Sequence, residues 1–570
     1  MANTPNSTAH PPARSHRVSE ATLHAECGRL LVTRGHITRG RLDDATARAT
    51  LLGKGLDEVL LSEHWVTECQ LLETLSEVSG IPHGTLADFS LSPELAARAP
   101  ITAALTYRII PVAATQDTLT VATTRLHEVT EHDSLQTLLR TRVNWVLCPR
   151  RDIDEAITHF YGLGADILSD LGDNRVAGDA GASGIARWVE ETIREAIRRK
   201  ASDIHLEPME HRVSLRYRID GVLINVPLPE GILRHYKSVI SALKVRAQLN
   251  ITERRLPHDG RTRLTLDGET FDLRVSILPT QFGEAANLRI LNRKTSFLSL
   301  QELGLMEHQL PVVADLMSRP HGLVLITGPT GSGKTSTLYA ALSAIRTEAI
   351  SVVTIEDPVE YQMEGILQIQ IQPDIGLTFA AGLRSVLRHD PNVILIGEIR
   401  DTETADIAIK SSLTGHRVFS TLHTNNSASA VARLIDMGIE PYLVASSVQG
   451  VIAQRLVRQV CPNCSEPVDV PEPVLAEVHH LFPALSQPVE FKKGRGCPDC
   501  WFSGYKGRRA IFEILPLDPT IRALVVRKAP AEDIQRAAAA QGMETLRRNA
   551  WQAALQGLTT VEEVLRVTQA

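Results

Sequence analysis

Four short apolar runs in the second half of the chain are each followed by polar residues. The runs are Leu323–Ile326, Val352–Ile355, Val393–Ile396 and Val418–Leu422. An unbroken apolar run of this length is typical of a strand that is buried on both faces, as in a parallel sheet. Strand and helix patterns alternate here, and the chain ends in helical patterns. The sequence therefore predicts an α/β domain with a parallel-rich sheet over residues 301–570.

The first half of the chain divides into shorter blocks. Residues 20–80 place apolar residues at helical spacing, and three strand patterns follow at 108–112, 118–122 and 143–147, so 20–160 reads as one N-terminal domain. A stretch rich in Gly, Ala and Asp predicts a linker over 161–184. An amphipathic helix and several strands then predict a second α+β domain over 185–300. Residues 1–19 show no periodicity and are predicted to be a disordered tail.

Composition and charge narrow the class of protein. The chain has 570 residues, 43% of them hydrophobic, and a net charge of −6, which gives no overall basic field for nucleic acid. No apolar run approaches the ~20 residues that span a bilayer, and the N-terminus has no apolar segment typical of a secretory signal. We therefore expect a cytoplasmic protein, in which the seven cysteines are thiols or metal ligands.

A glycine-rich stretch between the first of these strands and the next helix points to a nucleoside triphosphate. Gly328–Thr335 fits the phosphate-loop pattern of Gly, four residues and Gly-Lys-Ser/Thr. Backbone N–H groups at the helix N-terminus would face the phosphates, Lys334 would reach the terminal phosphates, and the Thr335 hydroxyl would bind Mg²⁺. The residues expected to contact ATP are Gly328, Pro329, Thr330, Gly331, Ser332, Gly333, Lys334, Thr335 and Ser336.

The polar residues after the other three strands suit phosphoryl transfer. Glu356, Asp357 and Glu360 follow the second run, Glu398 the third, and His423 the fourth. Strands that run parallel deliver such groups to one edge of the sheet. Carboxylates there can hold Mg²⁺ and orient a water molecule towards the γ-phosphate. The arrangement predicts an ATPase site.

Four cysteines form two CxxC pairs. Cys461 and Cys464 are separated by 32 residues from Cys497 and Cys500. Four thiolates in two such pairs suit the tetrahedral preference of structural Zn²⁺, with surface thiols or a redox pair as the alternatives. We expect a small zinc-binding insert over residues 455–515.

These motifs together resemble the secretion ATPase family of type II secretion and type IV pilus assembly. Gly328–Thr335 resembles its Walker A loop, Ile355–Glu360 its Asp box, Ile396–Asp401 its Walker B segment and Thr414–Thr424 its His box. The resemblance implies a RecA-like fold, with Glu360 activating water and Glu398 acting on Mg²⁺. It further implies that Glu356 and Asp357 contact the nucleotide or its metal, and that His416 and His423 line the γ-phosphate.

The second α+β domain shares in this resemblance through its arginine-bearing segments. In the family such arginines reach a nucleotide on a neighbouring subunit, which implies a homo-hexameric ring in which Arg218, Arg261 and Arg274 have this role. A guanidinium suits the task because it offers several donors and stays charged. A surface salt bridge is the alternative for each arginine.

The helical start of the chain resembles the domain that binds cyclic di-GMP in some of these ATPases. The resemblance rests on Gly28–Thr38, but Glu26 and Cys27 stand where that motif opens with Arg-Leu. An acidic residue in place of a phosphate-binding arginine argues against cyclic di-GMP as a ligand. Docking to an inner-membrane platform protein is the expected role, which would make the protein peripheral at the membrane.

The preferred reading is a ring-forming motor ATPase for type II secretion or type IV pilus extension, and the ending Thr559–Thr568 favours secretion. A related motor for DNA uptake or conjugation is one alternative. The other is a zinc-dependent nucleic-acid-binding regulator with a vestigial ATP site, which would use the basic residues around Lys492 and Arg508.

Overall fold

The structure is a computed structural model that describes residues 20–52, 55–124, 132–162, 179–228, 232–292, 298–483, 485 and 489–569. The predicted tail, 1–19, and most of the predicted linker, 163–178, lie outside the described residues. Two compact units are formed, one drawn mainly from 1–262 and 273–290 and the other mainly from 291–495 and 503–570. No helix in the described ranges is long and apolar enough to cross a membrane.

The first unit begins with a helical bundle, as predicted. Its helices are α1 (Glu20–Thr33), α2 (Arg39–Leu52), α3 (Leu56–Ser62) and α4 (Glu68–Ser79). Leu31, Leu60 and Leu75 are among the residues of its buried core. The Thr67 side chain caps α4 by accepting from the Gln70 N–H, and Gly80 ends the helix in a left-handed conformation.

A three-stranded sheet follows the bundle and confirms the three predicted strands. The elements are α5 (Pro93–Ala96), α6 (Ile101–Tyr107), β1 (Ile109–Ala114), β2 (Thr118–Thr123), α7 (His132–Leu139), β3 (Arg142–Leu147) and α8 (Arg150–Tyr161). β2 lies in the middle, antiparallel to β1 and parallel to β3. Both faces of this sheet are covered by apolar clusters.

The same unit contains a larger, mostly antiparallel sheet. Its elements are α9 (Asp179–Arg198), β4 (Asp203–Pro208), β5 (Val213–Ile219), β6 (Val222–Val226), α10 (Ile232–Arg246), β7 (His258–Leu266), β8 (Glu269–Thr280) and β9 (Gly283–Asn292), with strand order β6-β5-β4-β9-β8-β7. The predicted linker boundary at 184 is wrong, because α9 already begins at Asp179. The first turns of α9 contain glycine and alanine, and the buried apolar residues further along the helix hold it in place.

The second unit has the predicted α/β architecture. Its main elements are α11 (Gln309–Ser318), β10 (Gly322–Thr327), α12 (Lys334–Ile345), β11 (Val352–Glu356), β12 (Leu367–Gln370), α13 (Phe379–Val386), β13 (Val393–Ile396), α14 (Thr402–Leu413), β14 (Arg417–Leu422), α15 (Ser427–Asp436), α16 (Pro441–Ser447) and β15 (Val448–Val460). The sheet order is β12-β11-β13-β14-β10-β15-β18, and all neighbours are parallel except β15 with β18, the antiparallel edge strand Tyr505–Pro516. Four helices close the chain: α18 (Pro519–Val526), α19 (Ala531–Ala540), α20 (Leu546–Leu555) and α21 (Val561–Thr568).

Apolar residues on both faces of each central strand explain why the runs are unbroken. In β10, Leu323 and Leu325 pack into one core cluster, and Val324 and Ile326 pack into the cluster on the opposite face. All six residues of the strand are buried. The alternation therefore builds a sheet with apolar cores on both sides, and the polar residues of the candidate site lie at the ends of its strands.

The cysteine-bearing insert is smaller than predicted. β15 and β18 pair from Gly450 with Pro516 to Val460 with Tyr505, so residues 455–460 and 505–515 belong to the main sheet. The predicted boundary failed because Arg455, Arg458 and Gln459 interrupt the apolar residues along the outer half of β15, which hides the strand from a search for apolar runs. The insert itself contains β16 (Ser465–Val468), α17 (Glu472–Leu481) and β17 (Phe491–Gly494), with β16 antiparallel to β17.

Candidate functional site

The phosphate loop connects β10 to α12 at the carboxyl edge of the parallel sheet. Gly328 has φ 150°, and a Cβ there would lie 2.5 Å from the carbonyl oxygen of Gln454 on β15. Gly333 has φ 87°, directly before the helix begins at Lys334, and a Cβ there would lie 2.8 Å from the Gln454 side chain. Only glycine fits both places, so the loop is held tightly against β15 with the helix N-terminus open to an anion.

Lys334 lies folded over this loop. Its Nζ donates to the carbonyl oxygens of Gly328 at 2.8 Å and Pro329 at 3.1 Å. Burial lowers the pKa of Lys334 to about 8, against the opposing effect of Glu398; Arg455 lowers it further. The Ser332 hydroxyl is also buried here, without a hydrogen-bond partner among the described residues. A positive charge and an unsatisfied hydroxyl in one loop suit an oxygen-rich anion.

Three of the predicted residues meet at the ends of β11, β13 and β14. His423 Nε2 lies 3.0 Å from a carboxylate oxygen of Glu398. Arg400 forms an ion pair with Glu398 and lies 3.5 Å from the Asp357 carboxylate. The structure therefore brings Asp357, Glu398 and His423 together, and Arg400, to which the sequence analysis gave no role, contacts both carboxylates.

Glu356 does not reach this cluster, which contradicts the expectation that it contacts the nucleotide. It is 4% exposed, and its two carboxylate oxygens accept from Thr354, Gln368 and Tyr339. Successive residues of a strand point to opposite faces, so Glu356 points into the protein and Asp357 is the residue left at the edge. Glu360 lies three residues further on, half-buried in the irregular segment before β12.

His416 lies at the opposite edge of the sheet, so the expectation that it lines the γ-phosphate is wrong for this unit. It directly precedes β14, and its backbone C=O accepts from Gly322 at the start of β10. Its Nδ1 is 3.0 Å from the carbonyl oxygen of Ser411. β14 runs parallel to β10 from Arg417 to Leu422, which places only the following residue, His423, on the side of the phosphate loop.

Arg455 is a second residue that the sequence analysis missed. It follows Gln454 on β15, where its guanidinium donates to the Asn425 carbonyl oxygen at 3.1 Å. One of its terminal nitrogens is buried without a hydrogen-bond partner among the described residues, and burial lowers the pKa of Arg455. β15 pairs with β10 as far as Ala453, so the residues that follow Ala453 lie beside the phosphate loop. This register cannot be read from the sequence, which is why Arg455 was not predicted.

The predicted arginines of the first unit separate into two places. Arg261 and Arg274 line a cavity of 490 Å³ together with Asp259, Asn287 and Arg289. Arg218 is not among its lining residues: it lies 3.5 Å from Asp203, which also accepts from Arg289 at 3.0 Å. The cavity is therefore rich in guanidinium groups, and Arg218 borders it only through a shared carboxylate.

The four predicted metal ligands do lie together. The Sγ atoms of Cys461, Cys464, Cys497 and Cys500 are all within 4.8 Å of one another, and all four residues are buried. Cys497 and Cys500 have a separation of 3.7 Å between their sulfurs, close to the ~3.8 Å edge of a tetrahedron with metal–sulfur bonds of about 2.3 Å. The donor set fits one tetrahedral metal ion and provides no ligand position for catalysis.

A phosphate loop at the carboxyl edge of a parallel sheet, beside carboxylates on the next strand ends, defines the second unit as a P-loop ATPase domain of the RecA-like class. The sequence matches the family described as "Type II/IV secretion system protein" over residues 179–566. The chain belongs to this family, whose members include ATPases of type II secretion and type IV pilus assembly, and it is an ATP hydrolase.

Individual relatives cover most of the chain. It is 38% identical to the type IV pilus assembly ATPase PilB of Myxococcus xanthus over 95% of its own length and 99% of that protein. It is 46% identical to the type II secretion system protein E of Pseudomonas aeruginosa over 68% of its length and 76% of that protein. It is 43% identical to the type II secretion system ATPase E of Vibrio cholerae over 68% of its length and 75% of that protein.

The N-terminal region matches a second family. Residues 79–166 match the MshEN domain, which corresponds to the three-stranded sheet and its helices. The resemblance seen in the sequence lay earlier, at Gly28–Thr38 in the helical bundle. The match thus identifies the α+β part of this domain and leaves the bundle outside its limits.

Proposed function

We propose that this chain is a ring-forming motor ATPase that works at the inner membrane for type II secretion. The observation that supports the proposal most directly is the contact of Glu398 with His423 and Arg400 on strand ends beside the phosphate loop. A site of this kind is built for phosphoryl transfer, in which positioning and charge neutralisation provide most of the rate enhancement.

The chain's own residues divide the work at the nucleotide. The N–H groups at the start of α12 and the Lys334 ammonium would hold the phosphates, and nucleotide binding would draw Lys334 from its bonds to the loop carbonyls. Thr335 and Glu398 provide a hydroxyl and a carboxylate that fit Mg²⁺. That ion, when bound, neutralises phosphate charge.

Glu360 is the proposed group that orients water, and His423 stabilises charge on the transferred phosphoryl group. His423 is paired with Glu398, so its ring is already oriented before nucleotide binds. A residue held in this way loses little freedom in the transition state, which is where its contact counts.

The arginines of the first unit are proposed to complete the site of a neighbouring subunit in a homo-hexamer. Arg261 and Arg274 line an open cavity, which supports this role better for them than for Arg218 with its Asp203 partner. In a ring of this kind, ATPase activity per chain should rise with protein concentration, because a lone subunit lacks the arginines of its neighbour.

A mixing experiment tests the ring. Lys334→Ala protein and an Arg261→Ala, Arg274→Ala double variant should each be inactive. Mixed rings should recover activity, because some interfaces then pair an intact phosphate loop with intact arginines. No recovery despite subunit exchange, followed by fluorescence energy transfer between labelled variants, would exclude arginines acting between subunits.

Type IV pilus extension is the second candidate, favoured by the match to Myxococcus PilB along almost the whole chain. The secretion relatives share higher identity over a shorter part of the chain. Deletion of the gene separates the two: loss of secreted enzymes with pili retained supports secretion, whereas loss of surface pili with secretion retained supports pilus extension.

We infer that the four-cysteine site holds structural Zn²⁺. Purified protein should contain about one zinc ion per chain, and Cys461→Ser should lower this occupancy, because a three-thiolate remnant binds more weakly. Elemental analysis of both proteins measures the metal content. Metal-free wild-type protein with four reactive thiols would contradict the inference.

The N-terminal region, residues 20–160, is proposed to dock a platform protein of the inner membrane. The MshEN match supports a role in contact with other components and does not by itself name a ligand. Full-length protein should co-sediment with membranes that contain the platform, and a chain lacking residues 1–160 should not. The same full-length protein should show no heat of binding with cyclic di-GMP in calorimetry.

A further inference from the structure

A buried carboxylate joins two parts of the ATPase unit that are distant in the sequence. Glu356 accepts from the Thr354 hydroxyl at 2.6 Å and from the Gln368 amide at 3.2 Å. It also accepts from the hydroxyl of Tyr339, a residue on α12. All potential bonds of a charge buried this deeply must be supplied by protein, so the three donors fix the carboxylate in place.

Gln368 continues this network into the segment that carries Glu360. Its amide nitrogen donates to the Tyr361 carbonyl oxygen at 3.0 Å, and its amide oxygen accepts from the Met363 N–H at 2.7 Å. Burial raises the pKa of Tyr339, and the neighbouring Glu356 raises it further. Hydrogen bonds from the backbone N–H groups of Tyr361 and Glu360 to the Tyr339 oxygen oppose this rise. The irregular segment is thereby held by side chains of two regular elements.

Tyr339 belongs to the helix that begins at the phosphate loop. It is 2% exposed, about one and a half turns after Lys334, and its ring packs edge-on against Tyr361 with 6.3 Å between ring centroids. Arg346, directly after the same helix, donates to the carbonyl oxygen of Glu364. The helix therefore contacts the segment both near Glu360 and at its far end.

We propose that Tyr339 is a positioning residue that sets the place of Glu360 relative to the phosphate loop. The inference rests on the proposed role of Glu360 in orienting water. Both ends of the connection are rigid, since one is the buried helix of the phosphate loop and the other a segment tied to β11 and β12. A misplacement of about 1 Å in such a group can cost about 100-fold in rate, although it leaves the phosphate contacts intact.

Tyr339→Phe tests the proposal because it removes only the hydroxyl. We expect kcat to fall by about tenfold or more, with the dissociation constant for ATP within twofold of the parental value. Tyr442→Phe is the matched control: Tyr442 is 60% exposed on α16, and its hydroxyl lies outside the network. An unchanged kcat for Tyr339→Phe would overturn the proposal.

A double-mutant cycle separates positioning from general loss of structure. If Tyr339 acts through Glu360, then Tyr339→Phe should add no further loss in a Glu360→Gln protein. Independent, multiplicative losses would overturn the proposal. Gln368→Met decides the question if Tyr339→Phe loses ATP binding: it keeps side-chain volume, removes both bonds to the segment, and should give the same selective loss of kcat.

The outcomes distinguish this inference from the proposed function. If wild-type protein and Lys334→Ala hydrolyse ATP equally slowly, the assignment of the site itself fails, and with it the role of Tyr339. If wild-type protein is active, Glu360→Gln is impaired and Tyr339→Phe is not, the site stands and only the positioning role fails.

Discussion

The carboxyl and amino edges of the seven-stranded sheet contain the two histidines of one short sequence segment, in very different surroundings. His423 pairs with Glu398 beside the phosphate loop, whereas His416 contacts the Ser411 carbonyl oxygen at the other end of β14. They lie on either side of the six residues of β14, seven residue steps apart, which corresponds to about 23 Å at ~3.3 Å per residue. Two residues close in sequence thus lie at opposite ends of one strand, and the direction of the strand places only His423 beside the phosphate loop.

The largest difference between the edges should come from Lys334→Ala. Removing the ammonium that faces the phosphates should lower ATP turnover by about 100-fold or more, with the melting curve unchanged. Steady-state phosphate release measures the effect. Lys410→Ala is the control, because Lys410 is exposed on α14 and pairs only with Asp406 among the described contacts. Near-parental turnover in Lys334→Ala would contradict the site.

His423→Ala should lower kcat by about 10- to 100-fold, because the ring is held by Glu398 at the reacting edge. His416→Ala should leave kcat within about twofold, since its ring lies at the opposite edge. Parallel measurement of both variants at saturating ATP compares the edges directly. Equal losses in the two proteins would mean that the edges do not differ in the way the geometry indicates.

Proton uptake should reveal Lys334 at the carboxyl edge. Its pKa is lowered to about 8, chiefly by burial, so the free protein is partly deprotonated at pH 8.5. Phosphates favour the ammonium, so ATP binding at pH 8.5 should take up about 0.5 proton or more and weaken towards pH 9. Calorimetry in buffers of different ionisation enthalpy measures the uptake, with pH 7 as the control at which it becomes small. Absence of uptake at pH 8.5 would contradict a lowered pKa.

The smallest expected effect concerns the structural histidine. His416→Ala removes the contact with the Ser411 carbonyl oxygen and should lower the melting temperature of the ATPase unit by about 2 °C. His389→Ala, at an exposed position, should cause a smaller change. Scanning calorimetry of the full chain detects both. If His416→Ala has the parental melting temperature, the contact contributes nothing to stability.

The positions of the central strands could be predicted because burial on both faces requires an unbroken apolar run. β10, β11, β13 and β14 all lie where such runs occur, each with its polar residues at the carboxyl end. The phosphate loop was equally clear, since its glycines meet steric demands that no other residue satisfies. Where one physical requirement fixes the residue type, the sequence is sufficient.

The direction and partners of individual side chains could not be predicted in the same way. Glu356 and Asp357 are adjacent acidic residues, and only the end of β11 decides that Glu356 is buried and Asp357 is not. Arg400 and Arg455 acquire their roles from neighbours that are distant in sequence. The outer half of β15 was missed because Arg455, Arg458 and Gln459 interrupt its apolar residues, so that no unbroken apolar run marks the strand.

The two edge strands of the sheet have a consequence for solubility. Any sheet edge offers unpaired backbone groups that can recruit a strand from another molecule and begin aggregation. Here one edge is β12, only four residues long, and the outer part of the other, β18, exposes Lys506 and Arg508. Short length and positive charge both discourage strand addition, so many copies of this domain can be held at high local concentration without polymerising edge to edge.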